Sequence, residues 1–301
     1  MNQRIDNPSR GIALVVMATF IFACQDAVTK HLAQTYDIPQ IIWVRFLFFA
    51  VFAMALSGWN KPLKQVVRAK RPVLQVIRSL IIVFEILAFV YAVRVLSLAE
   101  THALFASFPL IVTALSALFL KEDVGIRRWA AVLAGFVGVL IIIRPGFGVF
   151  QLEAIVALVT AFMFALYHVI TRVVSAEDGS DTSLLYMAVI GAAVTTAIGP
   201  FFWTEPTPEA WRYLALLSLT GAIGHMLLIK ALECAPASTL QPFNYTLLVW
   251  ATVMGYLVFG NLPDVWTVVG GSVVVASGLY TIYRERIRHV PEPPRNVQVK
   301  P

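Results

Sequence analysis

Long apolar stretches alternate with short polar segments along almost the whole chain. Each stretch holds about twenty residues, the length that an α-helix needs to cross a hydrocarbon core of roughly 30 Å. Apolar positions run continuously instead of alternating with polar ones, which excludes the strands of a membrane β-barrel. Because lipid offers no hydrogen bonds, the backbone of such stretches must be helical. The ten predicted helices cover residues 11–32, 38–56, 73–93, 98–120, 129–143, 153–174, 184–203, 210–232, 237–259 and 265–283.

The composition agrees with a chain whose solvent is lipid. Hydrophobic residues make up 59% of the 301 residues and charged residues only 13%, whereas soluble domains carry about 25% charged residues. Ten helices of about 20 residues take about 200 positions, which leaves no room for a soluble catalytic domain. The predicted fold class is therefore an all-α membrane protein with ten transmembrane helices.

Basic residues gather at the ends of the apolar stretches, so the net charge of +6 indicates orientation in the membrane. With a cytoplasmic N-terminus, the outer segments contain little beyond Arg94, Arg144 and Arg212. The positive-inside rule then places both termini in the cytoplasm and predicts a multi-pass membrane protein. The sequence has no basic domain with interleaved aromatic residues, so nucleic acid is not an expected partner. The cytoplasmic basic residues are Arg4, Arg10, Lys61, Lys64, Arg68, Lys70, Arg71, Lys121, Arg127, Arg128, Arg284, Arg286 and Arg288.

A segment of the first half recurs in the second half. Ala92 aligns with Ala231 and Glu122 with Asn261, an offset of 139 residues. Each copy contains five predicted helices, and because five is odd, the second copy enters the membrane from the opposite side, as in many transporters. We expect a cytoplasmic N-terminus 1–10, a first repeat 11–145, a second repeat 150–284, and a cytoplasmic tail 285–301 without fixed structure.

Glycines recur in the last helix of each repeat. Gly135 and Gly138 lie in the fifth predicted helix, and Gly270, Gly271 and Gly278 lie in the tenth. Helices in lipid associate through close approach of their backbones, which small residues permit. We therefore expect these glycines to form helix contacts and not to bind a ligand.

Few ionisable side chains lie inside the apolar stretches, and each costs roughly 2.5–3.5 kcal/mol on insertion scales unless it is paired or faces water. Asp26 and Lys30 are four residues apart on one helical face, where an architectural ion pair is as plausible as a site. Arg45 lies in the second helix, and Arg78 and Glu85 share a face of the third. We expect Arg45 or Arg78 to neutralise Asp26 or Glu85, and we predict that these four residues contact a solute.

The fourth and ninth predicted helices, which are equivalent in the two repeats, both contain proline. Proline lacks an amide donor and frees a carbonyl, so backbone polarity becomes available where a cavity can use it. Pro109 interrupts the fourth helix, and Pro236 and Pro242 mark the ninth. The predicted solute ligands at this second break are Gln241, Asn244 and Tyr245.

Histidine and aromatic side chains complete the candidate site. His225 of the eighth helix is a predicted solute ligand, and Phe105 is the aromatic residue predicted to stack on a flat solute. His168 of the sixth helix is a candidate for proton coupling, together with Asp26 and Glu85, because an imidazole titrates near neutral pH. A hydrogen bond between helices is the alternative role for such a histidine.

Two further groups of residues, at the start of the fourth helix and at the cysteines, are not predicted to have a function. Glu100 and His102 open the fourth helix near the outer surface, where a solvated position is expected. Cys24 and Cys234 are the only cysteines, too few and too far apart to predict a disulfide framework or a metal site.

Motifs of soluble enzymes are absent from the sequence. It contains no phosphate-binding glycine loop, no paired histidines at metal-binding spacing and no nucleophile elbow. We therefore expect no enzymatic activity, no cofactor and no metal. A polytopic enzyme acting on lipid-linked substrates is a remote alternative, because the longest polar loop, residues 58–72, contains no acidic residue. A channel would need a ring of identical groups or a filter sequence, which we do not find.

Over roughly residues 10 to 285 the chain resembles the EamA-type ten-helix transporters of the drug/metabolite transporter superfamily. It departs from the family pattern at Asn261, where an acidic residue is expected, and at Leu248, which stands at the position of Pro109. The second half is therefore expected to gate differently. The motifs that carry the resemblance are Gln25-Asp26, Lys30, Pro39 and Arg45-Phe46, then Pro109, Glu122, Arg128-Trp129 and Gly135-Phe136-Val137-Gly138, and in the second copy Ala231-Leu232, Pro236-Ala237 and Asn261.

The resemblance implies a secondary carrier of the bacterial inner membrane that moves a small organic metabolite by alternating access. The pattern from Gln25 to Lys30, and Arg71-Pro72 with Arg78, are most similar to the subgroup that contains bacterial riboflavin and S-adenosylmethionine importers. Riboflavin uptake is the first expectation. Uptake of S-adenosylmethionine or another nucleoside-like metabolite, and export of an amino acid or aromatic metabolite, are the alternatives. The expected partners are the solute and the lipid bilayer, and the protein is expected to be a monomer or a weak homodimer.

Overall fold

The computed structural model describes residues 8–60, 66–119, 126–144, 152–174, 177–234, 240 and 243–287. Regular structure in these residues is entirely helical, which confirms the predicted all-α class. The predicted N-terminal segment up to residue 7 and the tail beyond Ile287 lie outside the described residues. The α-helices are α1 Pro8–Leu32, α2 Ile38–Asn60, α3 Pro72–Val95, α4 Leu98–Phe105, α5 Phe108–Phe119, α6 Ile126–Ile143, α7 Leu152–Val174, α8 Ser180–Ile198, α9 Pro208–Cys234, α10 Thr246–Phe259 and α11 Val265–Ile287, with a short 3-10 turn at Gly199–Phe202.

Six helical segments of the described chain are long and apolar enough to cross a membrane. Three shorter apolar segments, Trp129–Ile143, Thr246–Phe259 and Val265–Tyr280, accompany them. Large apolar side chains cover the outside, with Leu257 69% exposed and Val51 64% exposed. An outer surface of this kind is stable only in lipid, because it would leave large hydrophobic patches in water.

The two repeats interlock instead of forming separate bundles. The first helix of each repeat packs along the third helix of the other, which pairs α1 with α9 and α7 with α3. The second helices pack on each other as α2 with α8, and the last helices pack as α6 with α11. A two-fold axis that relates the repeats exchanges the contact of α1 with α9 and the contact of α7 with α3. The same axis maps the contacts α2–α8 and α6–α11 onto themselves. The core of the protein is therefore the surface between the repeats.

The contact between α6 and α11 depends on glycine. A Cβ atom added to Gly138 would lie 2.8 Å from the carbonyl oxygen of Gly270, and one added to Gly270 would lie 2.5 Å from that of Gly138. No side chain fits between backbones at these distances, which confirms the predicted helix contact.

Polar contacts join the same two helices at one end. Arg144 Nη2 lies 2.6 Å from Asp264 Oδ2, and Asp264 Oδ1 accepts a hydrogen bond from the Thr267 amide at 2.7 Å. Burial alone raises the pKa of Asp264, but hydrogen bonds from Thr267 and the charge of Arg144 outweigh burial and lower the pKa below its usual value. The carboxylate thus stays charged and caps the start of α11.

The fourth apolar stretch is broken, as predicted. α4 ends at Phe105 and α5 begins at Phe108, because Pro109 has no amide hydrogen to donate to the Phe105 carbonyl. In the second repeat, Tyr245 occupies a turn before α10 and aligns with Ala106 at the offset of 139. This break is present although Leu248 stands where the first repeat has proline.

Two equivalent contact sets join the repeats at opposite ends of the molecule. In the Gln40 contact set, Gln40 exchanges two hydrogen bonds with the backbone of Thr204, at 2.6 and 2.9 Å, and the Thr207 amide donates to Tyr36 Oη at 3.1 Å. In the Arg71 contact set, Arg71 pairs with Glu177, and the Lys70 amide donates to Asp178 Oδ1 at 2.7 Å. The first set is neutral and the second contains an ion pair.

Candidate functional site

A narrow cavity lies where α2, α3, α8 and α9 meet. Its free interior holds about one water molecule, far less than a small-molecule site needs, so it must widen before a metabolite enters. The side chains of α9 that face it are spaced i, i+3, i+4 and i+7, the signature of one helical face. Its principal lining residues are Arg45, Phe46, Phe49, Met187, Ser218 and His225.

Arg45 brings a positive charge to this cavity. It is only 8% exposed, and within the described part of the chain no hydrogen bond or close ion pair engages its guanidinium. The charges that act on it electrostatically are those of Asp26 and Glu85. A buried guanidinium without hydrogen-bond partners is costly, and its planar donors suit a carboxylate or phosphate. Arg45 is thus available to an anionic group of a solute.

Gln25 and Gly221 adjoin Arg45, and neither was predicted from the sequence as a site residue. Gln25 Oε1 is buried and has no hydrogen-bond partner among the described residues. A Cβ atom on Gly221 would lie 3.0 Å from Gln25 Oε1 and 3.4 Å from Arg45 Nε. Glycine at this position therefore lets α9 approach both polar groups. The spacing of Ser218, Gly221, Ala222 and His225 was the sequence signal for this face.

The two predicted acidic ligands differ in their surroundings. Asp26 Oδ2 lies 3.0 Å from His102 Nε2. Glu85 is 4% exposed, and no hydrogen bond to its carboxylate occurs among the residues that the structure describes. Arg45 and Asp26 act on Glu85 only through longer-range electrostatics. Among the described residues Arg45 forms no direct ion pair with either acid, and their neutralisation by Arg45 stays a prediction.

Lys30 has another role than pairing with Asp26. Its Nζ donates to the carbonyl oxygens of Val93 and Leu96, at 2.5 Å each, where α3 ends. A cation at this position satisfies free carbonyls and complements the negative end of the helix dipole. Lys30 thus fixes the end of α3 against α1.

His102 is buried, which corrects the expectation of a solvated position at the membrane surface. It is 3% exposed and bonded to Asp26. Ser97 caps α4 by accepting a hydrogen bond from the Glu100 amide at 3.1 Å, so the helix begins one turn before His102 and carries it into the protein. The capping pattern from Ser97 to Glu100 is visible in the sequence and would have located the helix start.

Arg78 lies in a hydrogen-bonded network at the meeting of α3, α7 and α8. It is 2% exposed and donates to Tyr167 Oη at 3.0 Å, to the Ser183 carbonyl at 2.6 Å and to Gln75 Oε1 at 3.3 Å. Gln75 in turn donates to Asp178 Oδ2 at 3.1 Å. These partners leave the guanidinium of Arg78 few free donors for a solute, and its contact with the solute stays a prediction.

Phe105 and His168 belong to a continuous aromatic cluster. The ring of Phe105 lies 5.1 Å from Phe164 and 5.4 Å from Phe108, and the ring of His168 lies 4.6 Å from Phe164. The cluster lies between α3, α4, α5 and α7, beside the cavity and not among its principal lining residues. Proton coupling through His168 stays a prediction.

The second-repeat candidates are spread over three environments. His225 lines the cavity, with its ring 5.2 Å from Phe22 and 5.9 Å from Phe49. Tyr245 points toward α11, where a Cβ atom on Gly278 would lie 1.7 Å from its hydroxyl oxygen, and this buried hydroxyl has no hydrogen-bond partner in the described chain. Asn244 is half-buried. Gln241 lies outside the described residues.

No group of three or more His, Cys, Asp or Glu side chains within the described residues could hold a metal ion. The polar groups of the cavity can bind charged and hydrogen-bonding atoms of a solute. Its aromatic walls can hold an apolar or planar part.

Comparison with known proteins identifies the family. The model of the EamA-like transporter family matches residues 9–144 and 151–284. The chain is 24% identical over 286 residues to an S-adenosylmethionine uptake transporter of Rickettsia bellii, covering 95% of this chain and 98% of that protein. It is 26% identical to a riboflavin transporter of Vibrio cholerae (90% and 92% covered) and 23% identical to a pseudopaline exporter of Pseudomonas aeruginosa (91% and 96% covered).

A solved crystal structure shares the fold. It superposes with a TM-score of 0.64 over 94% of this chain and 99% of the other, at 15% sequence identity. The chain therefore belongs to the EamA-like transporter family of the drug/metabolite transporter superfamily, and it is a multi-pass membrane transporter built from two inverted repeats.

Proposed function

We propose that this protein takes up S-adenosylmethionine across the bacterial inner membrane as a secondary transporter. The observation that carries the proposal is the cavity between the repeats, in which the Arg45 guanidinium is buried without a hydrogen-bond partner among the described residues. Relatives named for S-adenosylmethionine uptake cover nearly the full length of the chain.

The charges around the cavity match this solute. Arg45 brings a positive charge to the cavity, and the carboxyl groups of Asp26 and Glu85 lie within electrostatic range of it. S-adenosylmethionine carries one carboxylate, an ammonium and a sulfonium group, a sum of +1. Its carboxylate would bind Arg45 and its cationic groups would lie near the acids, while the adenine ring would stack against Phe49 and His225.

Riboflavin uptake, the first expectation from the resemblance, is the second candidate. The aromatic walls of the cavity and the relative from Vibrio cholerae favour it. The flat isoalloxazine ring would stack as well as adenine, but riboflavin offers no charged group to either Arg45 or Glu85. The charges near the cavity therefore favour S-adenosylmethionine over riboflavin.

Alternating access in this fold would use the two contact sets at the ends of the molecule. Opening the cavity to one side separates the Gln40 contact set, and opening it to the other separates the Arg71 contact set. We propose that both termini are cytoplasmic, which the basic residues at α3 and at the ends of the other helices support. The Arg71 contact set then lies on the cytoplasmic side.

The proposal is tested by measuring uptake of radiolabelled S-adenosylmethionine into proteoliposomes with a membrane potential that is either positive or negative inside. We expect unlabelled S-adenosylmethionine to inhibit this uptake and riboflavin not to inhibit it. Arg45→Ala should abolish it, whereas Arg94→Ala, which removes an exposed arginine at the end of α3, should not. Uptake of radiolabelled riboflavin but not of S-adenosylmethionine would favour the second candidate. Uptake of neither compound would contradict both.

A further inference from the structure

We infer that Gln25 is a specificity-determining residue that recognises, together with Arg45, the α-amino acid group of the solute; this inference rests on the proposed function. Arg45 binds the carboxylate, and Gln25 Oε1 accepts a hydrogen bond from the ammonium group. Gln25 is 5% exposed and Arg45 is 8% exposed. Both side chains are thus withdrawn from water, where a polar group without a partner is costly.

The amide oxygen of Gln25 and the guanidinium of Arg45 approach one common point beside α9. A Cβ atom on Gly221 would occupy that point, 3.0 Å from Gln25 Oε1, 3.4 Å from Arg45 Nε and 3.6 Å from Arg45 Nη2. Of the amide of Gln25, it is the oxygen that lies nearest to this point. Because Gly221 has no side chain, α9 leaves the point to an acceptor from α1 and charged donors from α2.

Both groups are available to a ligand in the described part of the chain. Gln25 Oε1 has no hydrogen-bond partner there, and no close ion pair joins Arg45 to Asp26 or Glu85 among the same residues. Asp26 contacts His102 instead, at 3.0 Å. An acceptor beside charged donors complements a ligand that offers a donor and an anionic acceptor at a similarly short separation.

The α-amino acid group is the part of the proposed solute that has this chemistry. Its ammonium group offers donors and its carboxylate offers an anionic acceptor, and both are attached to one carbon atom. The edge of the adenine ring also carries a donor beside an acceptor, but it is neutral and does not compensate a buried guanidinium. A carboxylate does so through charge-assisted hydrogen bonds, which are roughly twice as strong as neutral ones. The adenine ring is then left to the aromatic wall of Phe49 and His225.

The substitution Gln25→Met isolates the contribution of the acceptor. Methionine keeps a side chain of similar length but has no amide oxygen. Since Oε1 has no partner among the described residues, we expect the thermal stability of this variant to equal or exceed that of the unmodified protein. The matched control is Thr29→Val, which removes a buried polar group one turn along the same helix. Thr29 Oγ1 donates to the backbone carbonyl of Gln25 at 2.8 Å, and its loss leaves the amide in place.

Direct binding to the purified full-length protein tests the inference with two probes. One is S-adenosylmethionine, and the other is its 2-oxo acid analogue, in which a keto group replaces the amino group. We expect the unmodified protein and Thr29→Val to bind S-adenosylmethionine at least about tenfold more tightly than the analogue. Gln25→Met should lose this preference, while its affinity for the analogue changes less than about twofold. An unchanged preference in Gln25→Met, or loss of both probes, would overturn the inference.

Free L-methionine and L-phenylalanine separate a failure of this inference from a failure of the proposed function. If S-adenosylmethionine does not bind but one of these amino acids does, the proposed solute is wrong. The inference then stands if Gln25→Met weakens binding of that amino acid at least about tenfold, and it is overturned if the affinity is unchanged. Binding of none of these compounds would contradict both. Uptake of S-adenosylmethionine with a preference that does not depend on Gln25 would overturn the inference alone.

Discussion

The protein buries two arginines at similar depth, and their surroundings are opposite. Arg78 donates to a hydroxyl, a backbone carbonyl and an amide oxygen on three helices. Arg45 is buried beside a cavity with no such donor contacts in the described chain. Sequence position and burial do not distinguish them. They differ in whether the N–H groups of the guanidinium already donate hydrogen bonds within the protein. A guanidinium whose donors are all engaged holds helices together, whereas one with free donors can bind a solute.

The largest expected effect belongs to Arg78. Replacing it with alanine should destabilise the fold by about 3–5 kcal/mol, since Ser183 and Tyr167 lose a charged donor in a buried setting. Heating detergent-purified protein and following the monodisperse peak by size-exclusion chromatography measures this loss. Arg78→Lys should recover part of the stability. A stable Arg78→Ala variant that fails only in transport would indicate that Arg78 binds the solute, and the two arginines would then have the same role.

Arg45→Ala should leave the thermal stability near that of the unmodified protein but reduce transport. We expect initial rates of solute uptake to fall at least about a hundredfold, since loss of a charge partner in a buried site costs about 2–5 kcal/mol. Arg45→Lys keeps the charge without the planar fork and should recover only part of the rate. Normal uptake by Arg45→Ala would place the site elsewhere.

A smaller effect is expected at Gly221, which touches the surroundings of Arg45 but carries no charge. Gly221→Ala places a methyl group 3.0 Å from Gln25 Oε1, and such crowding costs about 1–3 kcal/mol. We expect about a tenfold higher KM for uptake, with kcat less affected. Gly179→Ala is the matched control because a Cβ atom there meets nothing within 4 Å. Equal KM values for the two variants would show that α9 does not border the site.

The smallest effect tests whether a missing partner by itself marks a binding group. Tyr245 has a buried hydroxyl without a partner among the described residues, yet it faces α11 and lies away from the cavity. Tyr245→Phe should leave uptake unchanged and raise stability by about 0–1 kcal/mol, because it removes an unsatisfied polar group. Thermal stability and uptake measured on the same preparation decide this. A large loss of uptake would return Tyr245 to the site, as the sequence predicted.

The sequence predicts the fold well because lipid imposes simple rules. Apolar stretches of about twenty residues predict the helices, and Pro109 predicts the break in the fourth stretch. The described residues have helices and this break where they were expected. Glycine predicts the contact of α6 with α11 because only backbone approach explains its repetition at Gly138 and Gly270.

The site is less predictable, since the face that each helix turns inward is poorly encoded. Lipid-facing and protein-facing surfaces are both apolar, so hydrophobic periodicity does not fix the rotation of a membrane helix. Arg45 and His225, which line the cavity, were predicted because polar groups avoid lipid. Gln25 and Gly221 were not, because their meeting depends on how α1 and α9 of different repeats pack. Tyr245 turns away from the expected side because the turn at this residue interrupts the helical phase of the ninth apolar stretch.

The two contact sets that join the repeats respond to different physical variables. The pair of Arg71 and Glu177 is partly exposed, with 44% and 36% of the side chains accessible, so dissolved salt weakens it. The hydrogen bonds between the Gln40 side-chain amide and the Thr204 backbone involve no charged group, so added salt changes their strength little. Under the proposed alternating access, we therefore expect ionic strength to shift the balance between the two open states, since about 1.4 kcal/mol changes a population ratio tenfold.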